Sequence, residues 1–221
     1  MTPPREHHMI VQRTARYYTL GRDDGEAREI WFVLHGQGYL AGTFIEVFRS
    51  LDDGDRLIVA PEGLSRFYRN PLSKSVGASW MTKEDRLNEI RDYVEYIDAL
   101  MTHILDRSTA DAPRVVLLGF SQGGAAAARG ATYGSRRPDH LIIWGSDVPP
   151  DLKMDVLKER IDQGMRLSMV VGRSDEYFTS MIAQSQQQML ERERVPHRWI
   201  EFDGGHVIET ETVLSLALDR D

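Results

Sequence analysis

Cysteine is missing from all 221 residues of the chain. Its absence removes disulfides, thiolate metal sites and a cysteine nucleophile from consideration. Long hydrophobic runs are missing too. The longest, such as Val115 to Leu118 and Leu141 to Trp144, are strand-length, far short of the roughly 18 residues of a membrane-spanning helix. The first residues, MTPPREHHMIVQ, lack the apolar core of a signal peptide. Residues 1–14 read as a mobile N-terminus, and these absences together fit a cytoplasmic protein. Basic residues are outnumbered, with 27 Lys and Arg against 34 Asp and Glu and a net charge of -7. Such a chain is repelled by phosphate backbones unless it carries a local basic patch. Arg136-Arg137 and the Arg192/Arg194 pair are the nearest candidates, and the latter alternate with Glu191 and Glu193 as on a solvated helix face. A nucleic-acid partner is therefore not expected. The same charge mildly disfavours anionic substrates, although a local field can reverse that.

What is present is a regular alternation of strands and helices. Hydrophobic residues make up 41% and charged residues 28%, enough for one sizeable core. Short apolar runs predict strands at 15–20, 29–34, 56–60, 114–120, 141–144, 167–171 and 198–202. Between them, Leu87, Ile90, Val94, Ile97, Leu100, Met101 and Ile104 recur at steps of three and four, which predicts an amphipathic helix over 84–106. Further helices are expected at 122–133, 154–163, 177–194 and 207–218. Strands alternating with helices imply βαβ units and a mostly parallel sheet with helices on both faces. The expected architecture is one α/β domain over 1–221. Residues 61–83 and 145–155 read as its longest loops, which leaves no room for a large cap domain.

The stretch VVLLGFSQGGAAAARG, residues 115–130, holds the sharpest signal. A serine stands between Gly119 and Gly123 where a strand becomes a helix. In such a strained turn the positions two residues away nearly touch, and both favour glycine. Gly124 and the alanine run let the following helix pack closely, with its positive end behind the serine. A serine hydroxyl needs a base. His7, His8, His103, His140 and His197 lie in the N-terminus, on the long helix or before strands. His206 follows the last strand after two glycines that let the loop carry it across. An acid must orient the imidazole. Asp175, Asp147 and Asp203 compete for that role. Asp175 is preferred because it completes the order Ser, Asp, His with each member on a separate strand-end loop. His35-Gly36-Gln37-Gly38 follows the strand expected beside the serine's. Its loop can aim a backbone N–H at an oxyanion, from Gln37 or alternatively Gly38, with the N–H of Gln122 as second donor. His35 is expected to anchor that loop.

These residues resemble the phospholipase/carboxylesterase family of α/β-hydrolases, which contains the acyl-protein thioesterases. The matching segments are Leu34 to Gly38, Gly119 to Gly124, Gly172 to Glu176 and Gly204 to His206, within a resemblance spanning roughly 29–218. Gly77-Ala78-Ser79-Trp80 is similar to the family's substrate-side loop. Tyr39 departs from the Asp often found after the glycine-bearing loop, and Pro61 to Ser65 departs from a Pro-rich stretch. The resemblance implies a triad of Ser121, Asp175 and His206, with Gln37 and Gln122 as oxyanion donors. It implies a serine hydrolase acting on a small-molecule ester through an acyl-enzyme, with no metal or organic cofactor. Thioesters and lysophospholipids are alternative substrates, and acyl transfer an alternative outcome. Tyr39, Trp80, Trp144 and Phe178 are candidate pocket residues, with Leu40, Phe67 and Tyr68 behind them. An open site preferring short to medium acyl chains is expected.

Overall fold

A computed structural model describes residues 2–70 and 72–219. The expected domain span also takes in Met1, Pro71, Arg220 and Asp221, which lie outside the described residues. The elements run in chain order β1 (Tyr17–Gly21), β2 (Glu29–Leu34), α1 (Ala41–Phe44) continuing into a 3-10 segment (Ile45–Leu51), β3 (Arg56–Pro61), β4 (Ser65–Asn70), β5 (Ser75–Ser79) and α2 (Arg86–Leu105). They continue with β6 (Arg114–Phe120), α3 (Gln122–Tyr133), β7 (His140–Trp144), α4 (Met154–Asp162), β8 (Arg166–Gly172), α5 (Ser180–Arg192), β9 (Arg198–Phe202) and α6 (Thr210–Leu218).

Seven strands form one sheet in the order β1-β3-β2-β6-β7-β8-β9. β1 runs antiparallel to β3, and every other neighbouring pair is parallel. The central strands are buried on both faces, which is why they read as continuous apolar runs rather than alternating ones. Alternation within β2 divides the core. Ile30, Phe32 and Leu34 join the side covered by α2, α3 and α4. Trp31 and Val33 join the side covered by the 3-10 segment and α6. The alanines of α3 let it lie directly on β6, and Ala126, Ala127, Ala128 and Ala131 are all buried.

Two segments differ from expectation. Residues 61–83 hold a two-stranded antiparallel hairpin, β4 with β5. Most of β4 is exposed, so no buried face imprints a hydrophobic alternation on its sequence. Residues 41–51 form short helical turns, too brief for a 3.6-residue period to register. Helices α5 and α6 also start about three residues later than their apolar patterns suggest. For α6 the reason is a cap: the Glu209 carboxylate accepts from the N–H groups of Glu211 (3.0 Å) and Thr212 (2.6 Å). Among the described residues nothing as large as a cap domain stands over the strand ends.

The register positions the site. Leu34 of β2 lies opposite Gly119 of β6, Phe120 opposite Trp144 of β7, and Gly172 of β8 opposite Phe202 of β9. The chain leaves β2 toward one edge of the sheet and β6 toward the other. This is the topological switch at which α/β sheets open a crevice.

Candidate active site

Ser121 occupies the turn between β6 and α3 with φ 54° and ψ -124°, a backbone conformation that costs a non-glycine residue of order 1–3 kcal/mol. Its flanking glycines are demanded by contact. A Cβ on Gly119 would stand 2.1 Å from the carbonyl oxygen of Gly123, and one on Gly123 would stand 2.3 Å from that of Leu34. The turn is pinned by the Ser121 N–H donating to the Trp144 carbonyl (2.9 Å) and the Gly124 N–H donating to the Ser121 carbonyl (2.8 Å). Ser121 itself remains partly exposed.

The adjacent ends of β8 and β9 bring Asp175 and His206 together. His206 Nδ1 lies 2.7 Å from Asp175 Oδ2. A carboxylate only accepts, so Nδ1 carries the proton and Nε2 is left with its lone pair. The other carboxylate oxygen, Oδ1, accepts from the N–H groups of Tyr177 (2.9 Å) and Phe178 (2.7 Å). Asp175 is 6% exposed and is not the N-cap of α5, which is Thr179. The imidazole lies between the rings of Phe120 (centroids 4.7 Å apart) and Tyr177 (4.9 Å). Gly145 closes its edge: a Cβ there would come within 3.2 Å of both the imidazole and Asp175 Oδ2. Of the competing acids, Asp203 turns outward to Arg173 (2.6 Å), and Asp147 is exposed two residues beyond Gly145.

The loop after β2 reaches the serine from the other side. A Cβ on Gly36 would lie 3.1 Å from the Ser121 Cβ. His35 is fully buried. Its Nε2 accepts from the Gly63 N–H (3.0 Å), which leaves Nδ1 protonated toward the Gly36 carbonyl (2.8 Å). Burial holds this imidazole below the ordinary histidine range. The Gly38 N–H donates to the Ala78 carbonyl (2.8 Å) and is spent. The Gln37 N–H has no acceptor among the described residues. Gln122 opens α3, so its N–H is one of those a helix leaves without an internal acceptor. Its side chain has a different task. The amide accepts from Ser79 Oγ (3.1 Å) and the Trp80 N–H (3.0 Å) and donates to the Met81 carbonyl (2.8 Å), clasping the chain after β5.

Ser121, Gln122 and His206 line one cleft of about 440 Å³. Trp80 and Phe178 line it as well, whereas Tyr39, Trp144, Leu40, Phe67 and Tyr68 do not. Trp144 is a core residue whose Nε1 donates to the Val207 carbonyl (2.9 Å). Tyr39 packs beside Phe44 and Phe120 with half its surface exposed. Phe67 and Tyr68 stand on the exposed strand β4. The cleft also holds residues that sequence reasoning missed: Met81, Arg86, Tyr93 and Arg129. Arg129 carried a usable signal. It follows Gln122, Ala125 and Ala126 at helical spacing, the one charge on an otherwise small face.

A strained serine between a strand and a helix, with a histidine–carboxylate pair beyond the ends of β8 and β9, defines an α/β-hydrolase. A family model, Serine hydrolase (FSH1), matches residues 69–213, and the chain belongs to that family. It is thus an enzyme of hydrolase type. A search of curated protein sequences finds no match. Solved structures are similar in fold. Esterase PE8 superposes with TM-score 0.67 at 19% identity, over 94% of this chain and 99% of that one. Acyl-protein thioesterase 2 of Zea mays gives 0.66 at 17%, over 93% and 97%. A phospholipase/carboxylesterase from Dyadobacter fermentans gives 0.63 at 15%, over 95% and 98%. The resemblance drawn from short motifs therefore holds across the whole fold.

Proposed function

We propose that the chain works as one α/β-hydrolase domain that cleaves carboxylic esters of short to medium acyl length through an acyl-enzyme. One observation carries the reading: His206, fixed on Asp175 at 2.7 Å, opens into the same cleft as the strained Ser121. His206 Nε2 takes the hydroxyl proton as Ser121 Oγ attacks the ester carbonyl. Asp175 holds the ring and stabilises its charged form. The N–H groups of Gln37 and Gln122 receive the oxyanion, each contributing about 3 kcal/mol in the transition state. His206 then returns the proton to the leaving oxygen, and water repeats the cycle on the acyl-serine. The spent N–H of Gly38 supports Gln37 as the donor from its loop. A cleft of about 440 Å³ suits a small-molecule ester. Thioesters enter the same chemistry.

The test is a p-nitrophenyl ester series from acetate to dodecanoate, run on the wild type and Ser121→Ala. The expected profile peaks at short to medium chains and falls by roughly a millionfold in kcat without the serine hydroxyl. Full activity in Ser121→Ala, or a strong preference for dodecanoate, contradicts the proposal. Adding an alcohol and measuring the ester product distinguishes hydrolysis from acyl transfer.

A further inference from the structure

The cleft extends away from Ser121 along one face of α3. Gln122, Ala125, Ala126 and Arg129 line it in turn. Seven residues separate Gln122 from Arg129, about 10 Å along a helix at 1.5 Å per residue. The two alanines leave the path between them open. At its far end two guanidiniums, Arg129 and Arg86, converge on the Asp151 carboxylate. Arg129, 3% exposed, holds that carboxylate with two hydrogen bonds, Nε at 3.0 Å and an Nη at 2.6 Å. Arg86 adds a third, 2.6 Å to the same Oδ1. The remaining Nη of Arg129 donates to the Tyr93 hydroxyl at 2.9 Å.

Two features of this cluster are left over from its structural task. One carboxylate faces two guanidiniums, so the group carries a positive charge that Asp151 does not cancel. The 145–153 loop is already held by the two Arg129 bonds, by the Tyr133 hydroxyl at Asp151 and Lys153, and by Gln186 at Val148, and Arg86 is a third exposed. Tyr93 is the second feature. It is 1% exposed and lines the cleft. Its oxygen accepts from Arg129, and its own proton has no acceptor among the described residues. A buried donor without an acceptor is costly. An oxygen of an incoming anion would satisfy the hydroxyl and meet the spare charge together. The acid that lines the cleft is Asp147, two residues from the Gly145 that abuts His206. Arg86 and Arg129 are the cations that line the cleft, and Asp151 is the carboxylate they share.

Resting on the ester reading above, we infer that the far end of the cleft binds a carboxylate carried by the substrate about 10 Å from the scissile carbonyl, through Arg86 and the Tyr93 hydroxyl. The substrate class is then the half-ester of a medium-length dicarboxylic acid, or an ester whose alcohol part carries the acid. The methylenes of such a substrate would run over Ala125 and Ala126 in a cleft that Trp80 and Phe178 also line. The guanidinium suits a carboxylate because it can donate two parallel hydrogen bonds.

Two substrate pairs test this. p-Nitrophenyl hydrogen suberate is compared with its methyl ester, and 8-(butyryloxy)octanoic acid with its methyl ester. Each pair differs only in one charge. The wild type should favour the acid over the methyl ester by at least tenfold in kcat/KM in one pair, which also tells which arm bears the charge. Within each variant the ratio cancels any general loss of activity. Arg86→Gln and Tyr93→Phe should each bring it close to one. Ratios near one in both wild-type pairs, or ratios unmoved in both variants, overturn the inference. A calorimetric titration with free suberate separates it from the ester reading. Suberate binding weakened tenfold by Arg86→Gln, with no ester cleaved, keeps the anion site and removes the proposed reaction. Esters cleaved without charge preference, and suberate binding absent or indifferent to Arg86, do the reverse.

Discussion

Asp175 spends one carboxylate oxygen on the chain and the other on His206. The N–H groups of Tyr177 and Phe178 fix Oδ1, so Oδ2 has one direction left, toward Nδ1. The pairing therefore sets a tautomer as well as a position. Asp175→Asn keeps the shape but offers Nδ1 an amide, which favours the wrong tautomer. We expect kcat on a p-nitrophenyl ester to fall roughly ten-thousandfold while the melting temperature moves by only a few degrees. A variant within tenfold of wild type places the orienting acid elsewhere. At this scale residue type and spacing were enough to single out Ser121, Asp175, His206 and the Gly-bearing loop as candidates, and the fold pairs Asp175 with His206 and sets Gly36 against Ser121. The sequence was not legible where a role depends on which way a side chain turns. Trp144 lies at a strand end yet faces the core. Arg129 stands out as the single charge of α3, but its partners Tyr93 and Asp151 appear only once the chain is folded.

At the scale of elements, the strand–helix turn is defined by what it cannot contain. Gly123 lies so close to the end of β2 that a Cβ would meet the Leu34 carbonyl at 2.3 Å. That neighbour is backbone in the central sheet and cannot yield. Gly123→Ala should leave little folded protein, and soluble Gly123→Ala with wild-type melting contradicts the packing described. The Gln122 amide performs a separable job, tying three groups of the 79–81 segment to α3. Three hydrogen bonds at a net worth of about 1 kcal/mol each predict that Gln122→Ala melts roughly 5–10 °C lower. Its backbone N–H remains, so kcat/KM for p-nitrophenyl acetate should fall less than tenfold. A larger loss assigns the side chain a part in the reaction itself. Elements with buried faces announced themselves by apolar runs or by period. The β4–β5 hairpin did not, because its exposed strand carries no pattern that burial would impose.

Across the whole molecule, the two ends of the parallel strands do different work. The C-terminal ends carry the cleft. The N-terminal ends carry charges that hold the sheet together, among them buried Glu29 with Arg56 (3.2 Å) and Arg114 (3.0 Å). His140 starts β7 there, with Nε2 2.9 Å from Ser168 Oγ. Burial, reinforced by Arg166, Arg114 and Arg198 and opposed by Asp219, pushes it down to about 3. In the unfolded chain the same imidazole protonates near 6.5. Between those values the unfolded state binds the extra proton, so stability is complete above about pH 6.5 and declines as pH falls. We expect the melting temperature to drop between pH 6.5 and 5, before most carboxylates titrate, and the drop to shrink in His140→Asn. An equal drop in both proteins places the acid sensitivity in other groups, His35 foremost, since burial lowers it in the same direction. The fold class was readable because strands and helices alternate so regularly along the chain. Apart from the expected neighbourhood of β2 and β6, the sheet order was not, since it depends on which strands the crossovers bring together. That order sets Gly36 against Ser121 and Asp175 against His206.

The most direct measurement is intact mass after mixing the protein with p-nitrophenyl butyrate and quenching in acid during turnover, followed by peptide mapping. The account predicts a transient gain of one butyryl group, confined to the peptide containing Ser121 and missing from Ser121→Ala. Turnover with no adduct on Ser121, or an adduct that persists in Ser121→Ala, contradicts it.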